Sequence, residues 1–211
     1  MIVIIPAITY GSQLALGALG VTLVYGILRF SNFAHGDTMA FGTMVAILFT
    51  WWFQSIDISI APLPTALLAL PIAIVLTALL LLGTDRVVLR FYRKQKSAPV
   101  ILLIVSLGIM FVYNGLVRFI IGVGDQRFSD GSRFIISARD FKKLTGLDEG
   151  LAIKTTQVIT VITAVMVVAL LFWFLNRTRT GKSMRAFSDN EDLALLSGIN
   201  PERVVLYTWL I

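Results

Sequence analysis

Five long apolar runs with almost no charge inside them constrain this chain more than any other feature. They are Ile2 to Leu28, Thr38 to Phe53, Thr65 to Leu82, Pro99 to Ile121 and Thr155 to Leu175. At 1.5 Å per residue, a helical run of this kind matches a hydrocarbon core of about 30 Å. In lipid every backbone N–H and C=O must be bonded within the protein, so only helices or closed barrels can span. Barrel strands would alternate apolar and polar residues over about ten positions, whereas these runs are continuously apolar. The expected fold is all-α, a polytopic transmembrane helical bundle of about five full spans. Val204 opens a sixth apolar stretch, but eight residues reach the end at Ile211, too few to cross. Residues 1–211 therefore read as a single transmembrane domain, incomplete at its C-terminus. Thr38 to Phe53 is short and reads as a tight or partly re-entrant span, closed by the interfacial pair Trp51 and Trp52.

Composition agrees. The chain is 57% hydrophobic and 14% charged, against about 25% charged in an average soluble domain. A soluble fold could not hide that much apolar surface. The net charge of +6 sits mainly between the apolar runs, where it orients spans and meets lipid headgroups rather than nucleic acid. There is no cysteine and one histidine, which excludes thiolate and multi-histidine metal centres. The loop holding Arg86, Arg90, Arg93, Lys94 and Lys96 is short and strongly basic, so it is expected in the cytoplasm. Two spans separate it from the charged loop Asn176 to Arg203, which then lies on the same side. The mixed-charge loop Gly122 to Lys154 falls outside, as does the N-terminus.

Two polar constellations stand out. The first is Asn32-Phe33-Ala34-His35-Gly36-Asp37, in a polar turn that follows Arg29. Its plainest reading is a capped helix–helix turn, with Asn32, His35 and Asp37 bonding freed backbone groups or a neighbouring loop. A membrane-embedded enzyme using His35 and Asp37 as an acid–base pair is the chemical alternative, although neither a nucleophile nor further ligands lie nearby. The second constellation is the segment at about 176–203. Gly181-Lys182-Ser183 imitates the end of a phosphate loop, but position 176 is Asn rather than the required glycine, and an apolar span precedes it. ATP binding by this chain is excluded on that ground. After it, Ser188 and Glu191 fit a capping box and Gly198 fits a helix C-terminus. The short helix between them carries Leu193, Leu195 and Leu196, which pack either on the bundle or on a soluble partner. In the first span Gly11, Ala15, Ala18 and Thr22 share one face suited to close helix packing.

The run Tyr10-Gly11-Ser12-Gln13, then Val24-Tyr25-Gly26-Ile27, then Asn32-Phe33-Ala34-His35-Gly36-Asp37 resembles the start of branched-chain amino-acid ABC transporter permeases of the LivH type. Thr180-Gly181-Lys182-Ser183-Met184-Arg185-Ala186, with Leu195-Leu196-Ser197-Gly198-Ile199-Asn200, is similar to that family's cytoplasmic loop. The resemblance implies a permease subunit of a bacterial inner-membrane importer, with no ATPase site or cofactor of its own. It implies a second permease subunit, two cytoplasmic ATPase subunits that bind the ATP, and a periplasmic substrate-binding protein. It also implies a coupling helix with a Glu-Ala-Ala-x-x-x-Gly pattern, whose spacing is kept here by Asp192, Leu193, Ala194 and Gly198, with Leu196 on the same helix. Related permeases carry urea, short amides and other amino acids, so the substrate stays open at this stage. Family members run on for several more spans, and a non-functional permease fragment is a further reading.

Overall fold

The computed structural model describes residues 4–58, 65–124, 126, 134–136 and 153–211. Most of the mixed-charge loop, and residues 59–64 of the proline-containing loop before the third span, lie outside the described residues. Long helices dominate: α1 (Ile4–Leu28), α2 (His35–Ser55), α3 (Ala66–Thr84), α4 (Arg90–Lys94), α5 (Pro99–Ile121), α6 (Thr155–Arg177), α7 (Arg179–Asp189), α8 (Glu191–Leu196) and α9 (Pro201–Leu210). The one departure from an all-helical chain among the described residues is a short antiparallel ladder, β1 (Phe134–Ile136) against β2 (Ile153–Lys154). Four helices are long and apolar enough to cross a membrane: Ile4–Leu28, Ala66–Lys94, Pro99–Ile121 and Thr155–Arg177. The second run, expected to be short, forms a helix of 21 residues, about 31 Å long and sufficient to span. Polar residues at both ends, His35-Gly36-Asp37 and Gln54-Ser55, lower its hydropathy.

Two packing groups form the bundle. α2 packs chiefly on α3 and also on α5, while α1 packs on α6. Between α2 and α3 a Cβ on Gly42 would lie 3.0 Å from Thr77 Oγ1, so glycine permits that close approach. The central core joins Val24, Phe30, Ala34, Leu102, Ile109, Tyr113 and Trp209, drawn from α1, the α1–α2 link, α5 and α9. A second cluster at the far end of α1 holds Ile27, Met184, Phe187, Ala194 and Val204.

The basic segment 86–96, expected as a loop, is helical as far as Lys94. Nothing between Thr84 and Lys94 breaks a helix, and a π turn at Asp85–Leu89 absorbs the change of phase. Asp85 is buried there. Its carboxylate accepts both terminal nitrogens of Arg93 and, at 2.8 Å, the indole N–H of Trp209 in α9. Arg90 and Glu202 pair at 3.1 Å one step away. These contacts put segment 86–96 and segment 176–203 at one end of the bundle, as the charge pattern required.

The small-residue face of α1 does not pack internally. Gly11, Ala15, Ala18 and Thr22 are all exposed, and a Cβ on Gly11 would meet nothing within 4 Å. The face that packs is Gly17, Gly20, Val24 and Ile27. Small size permits a close neighbour, but the apolar positions Val24 and Ile27 determine which side turns inward.

Candidate functional site: a deep polar turn and a surface helix

Between α1 and α2 the chain folds back into the bundle. Arg29 takes a left-handed backbone (φ 57°) and Phe30 is 1% exposed. Asn32 Oδ1 accepts the Ala34 N–H at 3.2 Å, forming an Asx turn that leads into α2. The Phe33 N–H donates to Ser106 Oγ at 3.1 Å, and that hydroxyl donates to Leu103 O at 2.7 Å. Ser106 is fully buried in α5. Irregular backbone at membrane depth is tolerated where protein groups satisfy it, and Asn32 and Ser106 supply that here.

His35 and Asp37, expected in the turn, belong to the first turn of α2 and face different neighbours. The His35 ring lies against α1, beside Gly20. A Cβ on Gly20 would sit 2.7 Å from the ring's Cε1 and Nε2, so glycine makes room for the imidazole. Asp37 Oδ1 instead accepts Asn114 Nδ2 of α5 at 2.9 Å. Asn114 lies about 10 Å along α5 from its nearer end at Ile121, so this contact is partly buried inside the span rather than at its edge. Two positions apart on a helix, the side chains diverge by about 200°. The structure therefore does not assemble the acid–base pair, and no group of three potential metal ligands occurs among the described residues. Phe33 and Gly36 are exposed, while Ala34 is buried. Ser106 and Asn114 escaped the sequence reading; their signal was a polar side chain inside an apolar span.

The second constellation is two helices at a sharp corner. Thr178 caps α7: its Oγ1 accepts the Gly181 N–H at 3.0 Å and donates to Phe174 O at 2.7 Å. Gly181 is pressed against α6, where an added Cβ would lie 2.3 Å from Phe174 O and 2.6 Å from Leu175 Cα. The Gly-Lys-Ser sequence is thus a helix crossing and not a phosphate cradle. From α7, Met184 and Phe187 point inward against Ile27 and Phe174. Ser188, expected as a helix cap, lies inside α7, and its hydroxyl donates to Gly26 O at 2.6 Å. The cap of α8 is Asn190, whose Oδ1 accepts the Leu193 N–H at 3.0 Å.

α8 rests on the bundle through one small residue, Ala194, which is 3% exposed. Its C-terminus closes as expected at Gly198 (φ 81°). The Gly198 N–H bonds Leu195 O and the Ile199 N–H bonds Ala194 O, each at 3.0 Å, the paired bonds of a Schellman end. Asp192 is exposed, Leu193 is 60% exposed and Leu196 is 85% exposed. A helix capped at both ends therefore presents three exposed leucines, Leu193, Leu195 and Leu196, at the basic end of the bundle.

Four membrane-length helices, a partly buried polar link between two of the helices and a capped surface helix at one end define a multi-pass membrane protein. Residues 3–211 match the family described as branched-chain amino acid transport system / permease component, and the chain belongs to that family. It is 28% identical over 209 residues to the high-affinity branched-chain amino acid transport system permease protein LivH of Salmonella typhimurium, covering 97% of this chain and 64% of that protein. It is 26% identical to permease protein BraD of the corresponding system of Pseudomonas aeruginosa, covering 99% of this chain and 65% of that protein. A probable LivH permease of Methanocaldococcus jannaschii is 28% identical over 211 residues, with 97% of this chain and 60% of that protein covered. The chain thus spans just under two thirds of the length of these curated relatives. No solved structure matches it.

Proposed function

We propose that this chain is a membrane-spanning permease subunit of an ABC importer in the bacterial inner membrane, moving branched-chain amino acids or a related small polar solute. Partner ATPases drive it and bind the ATP; the chain holds no nucleotide site or cofactor itself. A second permease subunit completes the path, and a periplasmic binding protein delivers the solute. The observation that carries this reading is α8, a capped helix whose Leu193 and Leu196 are exposed and find no burial among the described residues. An ATPase groove would receive these leucines by the helix-in-groove mode. Movement of the ATPases would then reach the spans by contact. α8 transmits to α7 and α9 through Ala194, packed among Met184, Phe187 and Val204. α7 transmits to α1 through Met184 against Ile27 and through the Ser188–Gly26 bond. α9 transmits to the third span through Trp209 on Asp85.

The experiment is co-purification of an ATPase subunit with the full-length protein, comparing the native sequence with Leu193→Asp and Gly198→Arg. Retention by the native sequence and loss in both variants, with membrane insertion intact, supports the reading. If the native sequence retains no ATPase, or both variants retain it fully, the reading fails.

A further inference from the structure

A groove of about 250 Å³ opens between the α1 and α6 halves nearest the basic end, floored by α7. Its walls are apolar: Leu19, Leu23 and Ile27 on one side, Leu171 and Leu175 on the other. It runs about 12 Å along α1, from Leu19 to Ile27. Such a slot suits a hydrocarbon chain and offers a polar solute almost nothing. Its mouth has the opposite character. Arg185 lines it, and Arg29 reaches the same place by donating a guanidinium N–H to Ser188 O. Both arginines are exposed, and among the described residues neither forms an ion pair. The polar partner of Arg185 is Asn176 Oδ1, a neutral group at 2.9 Å. Arg179 and Lys182 add further exposed positive charge on α7, with Asp189 the one acid on that helix.

We propose that this groove binds an anionic phospholipid of the adjacent leaflet, which the basic bias of this end makes the cytoplasmic one. One acyl chain lies between α1 and α6, and the phosphate sits at the Arg29 and Arg185 guanidinium groups, which suit phosphate through paired N–H donors. Charge complementarity and the level of the groove, one end apolar within the spans and the other basic at the interface, select this occupant. A bound lipid would fill the seam between α1 and the helix that carries α7 and α8. This inference stands independently of the transport reading.

The test uses the full-length protein in mild detergent, incubated with phosphatidylglycerol or phosphatidylcholine of identical acyl chains, with bound lipid counted by native mass spectrometry. The expected result is a preference of about tenfold or more for the anionic lipid, the scale set by two cations at a membrane surface. Arg29→Ala with Arg185→Ala removes that preference. Gly26→Leu, at a groove position where a Cβ meets nothing within 4 Å, keeps both arginines and lowers retention of either lipid. Equal retention of the two lipids by the native sequence overturns the proposal. So does unchanged retention in Gly26→Leu, the result expected if another protein segment fills the groove.

Discussion

Gly181→Ala is the substitution whose effect can be worked most directly from the geometry. The added Cβ would lie 2.3 Å from Phe174 O, where ordinary contact begins at 3.4 Å. The obstacle is backbone of α6 and cannot rotate away, so α7 must move by roughly 1 Å, a strain near the upper end of overpacking costs, about 3 kcal/mol. Alanine recovers about 1 kcal/mol of helix propensity over glycine. The net loss of about 2 kcal/mol corresponds to about thirtyfold in the closed-to-open ratio of the α6–α7 corner. Amide hydrogen exchange over residues 179–196 reads that ratio directly, because local opening governs protection there. Exchange in α7 and α8 is expected to accelerate by about that factor, while α2, α3 and α5 stay unchanged. Gly11→Ala is the control, since its Cβ meets nothing within 4 Å. Unchanged protection in Gly181→Ala, or an equal effect of Gly11→Ala, would refute the reasoning.

Three further outcomes follow from single contacts. Gly20→Ala drives a Cβ to 2.7 Å from the His35 ring and lowers stability in detergent by about 1–3 kcal/mol; His35→Ala in the same chain relieves it, giving a double-mutant coupling above about 1 kcal/mol. Asp85→Ala strands the Arg93 guanidinium and frees the Trp209 indole N–H, with an expected cost of about 3–5 kcal/mol in thermal or denaturant unfolding. Replacing Asp85 and Arg93 together by leucine recovers most of that loss. Asn190→Ala removes the cap on the Leu193 N–H and costs about 1 kcal/mol, visible as faster exchange at Leu193 with no change in the spans.

The spans were legible because lipid imposes one rule on backbone and side chain alike: a long apolar run must be a helix. The C-terminus of α8 was legible for a similarly local reason, since Gly198 adopts the left-handed backbone that other residues resist. Sequence failed where a distant partner decides. Ser188 and Asn190 are both good helix caps, and Asn190 takes the role because the Ser188 hydroxyl is engaged by Gly26 O, 162 positions away in the chain. Segment 86–96 passed for a loop because its charges marked the end of an apolar run, yet a chain without breakers continues as helix when Asp85 can pair with Arg93 and Trp209. His35 and Asp37 looked like one site because they are close in sequence. Helical geometry separates them and joins Asp37 to Asn114, a pairing that no local pattern encodes.

The central claim is that α8 is the surface on which an ATPase acts, and site-specific photocrosslinking in native membranes tests it most directly. A photoreactive residue is placed at Leu196, 85% exposed, and separately at Phe119, 89% exposed near the opposite end of the bundle. The account predicts a crosslink from position 196 to an ATP-binding subunit and none from position 119. Crosslinking to that subunit from neither position, or equally from both, would contradict it.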